Sequence, residues 1–309
     1  MKKLTLFLVL ILLSAGMIVC GEDFRRERLP LKRNGHELFL QSVRGDNSSP
    51  KKNILMVHGM TYASHYFDLP YQDYSLMEFF ARNGYTAWRL DITGFGQSES
   101  VEDGFLPASD YAAEDIDAAV RAITRQAEVN RIDLLGWSWG TVTTSKYAVR
   151  HPEAVGKLVL YAPIVTGILD EAASVTEAFV HDAWKDATDD FQKDKDHNLI
   201  ESITDPGLAA AYQKSCREHD KEWIPNASRR EVMSSRDRIL IPLEKLKMPV
   251  LIICGSRDPY LNFTRIHEGF PAMLPSSELV VINGGAHAVF LEKPFYRKFR
   301  QEVLLFLEP

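Results

Sequence analysis

The sequence predicts an α/β fold, a mostly parallel sheet with helices on both faces and an inserted block of short helices. Three observations carry this. Residues 53–57, 86–90, 131–135, 157–161, 250–254 and 279–282 are short, nearly continuous apolar runs. Strands covered on both faces read that way, because neither side of the pleat meets water. Stretches with helical spacing separate these runs, and the alternation stops between about residues 165 and 247, where no strand-like run occurs.

Taken in order, residues 37–43 give a first strand and 53–57 a second. Residues 109–129 carry Ile116, Ala119, Val120 and Ile123 at helical spacing, with Ser109 or Asp110 as the expected N-cap. A further helix is expected over 141–150 and a last one over 294–307, opening on Pro294, a residue the first helical turn tolerates. The charged stretch 165–247 is punctuated by Pro206-Gly207 and Pro225-Asn226 and reads as several short helices. The organisation expected is a leader over 1–20, a linker over 21–36, core over 37–165 and 248–309, and the insertion over 166–247.

At 309 residues and 45% hydrophobic, the chain can bury one large core. A net charge of −6 without a basic cluster argues against nucleic acid and against anionic substrates gathered by long-range attraction. No repeat is evident, nor a Cys/His spacing that suggests a metal site. Cys216 falls in the insertion and Cys254 inside a strand, so both are read as unpaired thiols.

Met1-Lys2-Lys3 and the apolar run Leu4 to Leu13 have the form of a secretory signal, too short for a membrane span. Met17-Ile18-Val19-Cys20-Gly21 resembles the box of bacterial lipoprotein signals, whose cysteine is lipidated. It departs from that pattern at Met17 and Val19, and cleavage after Gly16 competes with it. The expectation is an exported protein of a bacterial envelope, tethered through Cys20 or released to the periplasm or medium.

The chemistry gathers at strand ends. Ser138 lies in Gly136-Trp137-Ser138-Trp139-Gly140, directly after the apolar run 131–135 and before a helical stretch. A serine at the tip of a sharp strand-to-helix turn is exposed above the sheet edge, and flanking glycines permit the close chain approach such a turn needs. The amide of Trp139 then falls at a helix start, where unpaired N–H groups favour negative charge. A serine needs an imidazole to take its proton, and the imidazole needs a carboxylate to fix its tautomer. Asp258, after the 250–254 run, and His287, in the loop after 279–282, are the candidates. Asp91, which ends the 86–90 run, is a rival acid, although capping its own glycine-rich loop also explains it.

In this pattern the chain resembles the α/β hydrolases from about residue 36 onward. The resemblance implies the order Ser138, Asp258, His287 and favours Asp258 over Asp91. It leaves Asp170, some way past the 157–161 strand, as a third candidate acid. It makes Asn53-Ile54-Leu55-Met56-Val57-His58-Gly59-Met60 the strand and turn that supply a second oxyanion donor, the Met60 amide, beside that of Trp139. His58 is read as a loop-stabilising hydrogen-bonding group. Residues 166–247 stand where this family inserts its helical cap, whose Phe179, Trp184, Phe191, Tyr212 and Trp223 are the aromatics available to the pocket. Trp137, Trp139 and Trp184 are taken as substrate-binding.

The activity so implied is carboxylic ester or lactone hydrolysis through an acyl-enzyme on a small-molecule substrate, with no cofactor and no metal. Two other readings stand beside it. The elbow is similar to that of proline iminopeptidases, although His58-Gly59-Met60-Thr61 lacks their His-Gly-Gly-Pro-Gly run, and the turn from His58 through Phe67-Asp68-Leu69-Pro70 is similar to macrolide esterases. A non-catalytic envelope protein that binds an apolar ligand is the reading from another class.

Overall fold

The computed structural model describes residues 24–45 and 52–308. The leader and Cys20 lie outside the described residues. Strands β1 (Phe24–Arg28), β2 (Leu31–Arg33), β3 (His36–Gly45) and β4 (Lys52–Val57) lead into helix α1 (Leu76–Arg82) and β5 (Tyr85–Asp91). Then follow α2 (Ser109–Ala127), β6 (Ile132–Trp137), α3 (Trp139–Arg150) and β7 (Val155–Tyr161). The excursion holds β8 (Phe179–His181), α4 (Pro206–His219), β9 (Trp223–Pro225) and α5 (Ala227–Val232). The chain closes with β10 (Val250–Gly255), α6 (Phe263–Gly269), β11 (Glu278–Ile282) and α7 (Tyr296–Leu307).

Among the described residues the main sheet has nine strands, in the order β1-β3-β5-β4-β6-β7-β10-β11 with β2 on β3. From β5 to β11 every pairing is parallel, whereas β1 to β3 and β3 to β5 are antiparallel. Ile54, Leu55, Met56 and Val57 are all fully buried, as are Val250 to Ile253. Successive side chains on a strand point to opposite faces, so these runs are covered on both. Helix α1 packs on α7, and α2 on α3.

The structure corrects the sequence reading in four places. Residues 24–33 are not a linker but pair as β1 and β2 along β3. The excursion is less helical than expected: α4 and α5 are joined by a two-stranded ribbon, β8 with β9, and by 3₁₀ turns and irregular chain. Helix α2 starts at Ser109 after an Ala108 cap with no side-chain capping bond. The Ser109 hydroxyl binds Glu231 instead. Helix α7 begins at Tyr296, so Pro294 precedes it. Cys216 and Cys254 are both free and buried. Among the described residues, no helix is long and apolar enough to cross a membrane.

Candidate active site

Parallel strands deliver their chemistry to one edge. The register pairs Val57 with Gly136 and Gly255 with Ile282, so the turn after β4 borders the elbow after β6, and the loops of Asp258 and His287 lie side by side. Open α/β sheets build their sites at such an edge.

Ser138 has φ 57° and ψ −123°, a conformation costly for any residue with a Cβ. Its N–H donates to the Tyr161 carbonyl at 3.0 Å, which ties the elbow to β7. The flanking glycines are required by space. A Cβ at Gly136 would lie 2.3 Å from the Gly140 carbonyl oxygen, and one at Gly140 would lie 2.4 Å from that of Val57. Trp139 opens α3, so its amide belongs to the first turn, which has no intrahelical partner.

Asp258 and His287 are both buried, and His287 Nδ1 lies 2.8 Å from Asp258 Oδ2. Nδ1 therefore carries the proton, and Nε2 is left to accept one. Burial opposes the charged imidazolium, but the charge and hydrogen bond of Asp258 outweigh it, with Asp190 and Glu292 adding, and the His287 pKa stands above its ordinary value. The His287 carbonyl accepts from Tyr161 Oη at 2.6 Å and Trp137 Nε1 at 3.2 Å, and Asp258 Oδ1 accepts from the Tyr260 N–H at 3.0 Å.

The rival acids do other work. Asp91 is buried and accepts from the Ser64 N–H and the Gln97 N–H at 2.9 Å each and from the Ser64 hydroxyl, as a loop cap does. Burial would raise its pKa, yet Arg89, His58 and these hydrogen bonds hold it below the ordinary value. Asp170 is 95% exposed at its side chain and pairs with Arg236 at 3.2 Å.

His58 is fully buried, and the Ile92 N–H donates to its Nε2 at 3.1 Å. Nδ1 therefore carries the hydrogen and donates to the Gly59 carbonyl at 2.9 Å. Burial lowers the His58 pKa, which favours the neutral ring these bonds require. The Gly59 carbonyl and the Met60 N–H belong to one planar trans peptide, so holding the oxygen fixes the direction of the N–H. The Gly59 N–H in turn donates to Tyr66 Oη at 2.8 Å.

A cavity of about 280 Å³ brings Gly59, Met60, Trp137, Ser138 and His287 together. Ile164, Ile168, Val180, Ala183, Val232 and Met233 supply apolar wall, mostly from the excursion, beside Asp186, Asp189, Asp190 and Arg229. Two expected contacts are not made. Trp139 is fully buried, its indole bonded to Glu231 at 2.8 Å and tilted on Phe95, so its side chain is not among those lining the cavity. Peptide and side chain leave one Cα in different directions, and only the amide is placed at the elbow. Trp184 also lies off the cavity, stacked under Arg217 and Lys185, and its neighbour Ala183 lines the wall instead. Tyr66, Tyr161 and Tyr260 carry no motif and were not singled out in the sequence, because only tertiary packing brings them to the site.

Among the described residues, one group could hold a metal ion: ligand atoms of His65, Cys216 and Asp220 lie within 4.8 Å of one another. Both His65 nitrogens are already engaged, with Ser215 Oγ at 2.8 Å and Asp220 Oδ2 at 3.0 Å. Burial, with Asp220 nearby, pushes the Cys216 thiol up and keeps it protonated. The set is satisfied within the protein.

The family model for serine aminopeptidase, S33, matches residues 48–294, from before β4 to just before α7. The chain belongs to this α/β-hydrolase family. Among curated proteins it is 29% identical over 210 residues to a pimeloyl-[acyl-carrier protein] methyl ester esterase of Neisseria meningitidis, covering 62% of this chain and 63% of that one. Among solved structures it is similar to a bromoperoxidase from Bacillus anthracis, with a TM-score of 0.65 at 18% identity over 92% of this chain and all of the other. A monoacylglycerol lipase of Paleococcus ferrophilus gives a TM-score of 0.61 at 16% identity, over 92% and 98% of the two chains. Identities this low show that this α/β hydrolase shares their fold. Its chemistry rests on its own residues.

Proposed function

We propose that this α/β hydrolase is an exported serine carboxylester hydrolase acting on a small ester or lactone. One observation carries the reading: a strained Ser138 shares a cavity with His287, whose Nδ1 is held by the buried Asp258. Ser138 Oγ attacks the acyl carbon while His287 Nε2 takes its proton, and the same imidazolium then protonates the leaving alcohol. The amides of Met60 and Trp139 hold the oxyanion, and water, activated by His287, releases the acid. The Neisseria relative, a methyl ester esterase, supports the ester reading. A panel of esters, lactones and aminoacyl amides tests it: turnover of esters or lactones with kcat/KM well above that for amides is expected. The reverse order would make the chain an aminopeptidase.

Export rests on Lys2, Lys3, the run Leu4 to Leu13 and Cys20. Lipidated Cys20 would be the mature N-terminus, and several acyl chains on one cysteine anchor stably, each buried methylene adding about 0.8 kcal/mol. Intact mass of the protein from a native host reads this directly. A chain that begins at an acylated Cys20 is expected, and an unmodified chain that begins at Met17 would leave plain secretion.

A further inference from the structure

We infer that one short helix of the excursion, α5, assembles the oxyanion hole, with Ser228 and Glu231 as its positioning residues. The inference rests on the hydrolase reading above. Ser228 is fully buried, and its hydroxyl donates to the Met60 carbonyl at 2.8 Å. Three residues on, Glu231 accepts the Trp139 indole N–H at 2.8 Å. The same carboxylate accepts the Ser109 N–H at 3.1 Å and the Ser109 hydroxyl at 2.7 Å. One turn of helix thus grips both residues whose amides face the developing oxyanion, one from the β4 turn and one from the elbow.

The grip is itself anchored. The Ala227 N–H donates to the Gly104 carbonyl at 3.0 Å and the Asn226 N–H to the Ala178 carbonyl at 2.9 Å. At the other end of α5, Ser234 Oγ donates to the Glu231 carbonyl at 2.6 Å. Met60 therefore has one restraint on each of its two peptides, His58 on the Gly59 carbonyl and Ser228 on the Met60 carbonyl, while Tyr66 holds the preceding peptide through the Gly59 N–H. Arg229 and Val232 of the same helix line the cavity, so the element that meets the substrate also holds the two residues that carry the amide donors, one by its carbonyl and one by its indole. Oxyanion donors stabilise a transition state only insofar as they are aimed before charge develops. A cap that fixes their aim contributes to the chemical step as well as to substrate selection.

The test is Ser228→Ala and Glu231→Gln in the full-length protein, each checked for folding by its thermal transition. Glutamine keeps the oxygen that takes both N–H groups and turns its N–H₂ to the Ser109 hydroxyl, so it removes the charge that strengthens all three bonds. Loss of aim predicts that kcat falls about tenfold or more while KM stays within about twofold. Inhibition by an alkyl trifluoromethyl ketone should weaken in parallel. That ketone takes Ser138 Oγ onto its carbonyl carbon, passes the hydroxyl proton to His287 and so forms the oxyanion. The acid limb of the pH profile should not move, because His287 and Asp258 are untouched. A kcat within about twofold of wild type in folded Ser228→Ala, or a loss confined to KM, would overturn the inference. If Glu231→Gln does not fold, Ser228→Ala decides alone. Ser138→Ala separates this inference from the reading beneath it. Full turnover in that variant sinks the reading of Ser138 as nucleophile, whereas its inactivity beside an unimpaired Ser228→Ala sinks the clamp only.

Discussion

His287 Nδ1 donates to Asp258 Oδ2 at 2.8 Å, and the Asp258 side chain has no solvent exposure. The carboxylate raises the pKa of the imidazole against the opposing effect of burial. In the proposed mechanism His287 must be neutral to take a proton, so activity should be lost as pH falls through that raised value. The acid limb of kcat/KM is therefore expected above the ordinary histidine value of 6.5. Asp258→Asn should lower kcat by about 10⁴ and move the residual limb to lower pH, because the charge that raised it is gone. A pH–rate profile of both proteins checks this, and an unmoved limb would count against the pairing.

Asp91→Asn should act on stability. Its carboxylate accepts three hydrogen bonds from the loop around it, and an amide would set N–H₂ against one of those donors, at a cost of about 1–3 kcal/mol. Since the Asp91 pKa is depressed, its contribution is present above the unfolded value of 3.8 and is lost as pH falls through the folded one. Thermal melts against pH should show a deficit in the variant that narrows on acidification. Loss of activity in folded Asp91→Asn, with Asp258→Asn active, would exchange the two roles.

Tyr66→Phe removes the acceptor for the buried Gly59 N–H. A buried donor left unpaired costs about 1–3 kcal/mol, so the melting temperature should fall. kcat should fall with it as the turn that leads into the Met60 amide loses a restraint at the His58–Gly59 peptide, and urea unfolding with steady-state kinetics reads both. Unchanged stability would mean that water replaces the phenol.

The cavity, not the aromatic content of the excursion, should set acyl size. Ile168→Trp fills part of a space of about 280 Å³ and should shift preference toward shorter acyl chains. Trp184→Ala should leave the chain-length profile unchanged, because Trp184 lies off the wall. A series of p-nitrophenyl esters measures this, and a profile altered by Trp184→Ala would place that ring in the substrate path.

The central strands were legible because burial on both faces writes itself as unbroken apolar runs, such as Ile54 to Val57 and Val250 to Ile253. Ser138, Asp258 and His287 were legible because each stands in the turn or loop after an apolar run. Phe24–Arg28 was not, since an edge strand with charged side chains in solvent carries no apolar run. Ser228, Glu231 and Tyr66 act through contacts with residues 168, 92 and 7 positions away, and no local spacing encodes those. Trp139 does open the helix after the elbow, as its place in the sequence predicts, but its ring packs on Phe95 and Glu231 and not on the cavity.

The central claim is that Ser138 is a nucleophile activated by its own site. Labelling with a fluorophosphonate, followed by peptide mass analysis, tests it most directly. The account predicts a single adduct on Ser138, absent in Ser138→Ala and much slowed in His287→Ala, with both variants folded. An adduct on another residue, or none in a folded wild-type protein, would contradict it.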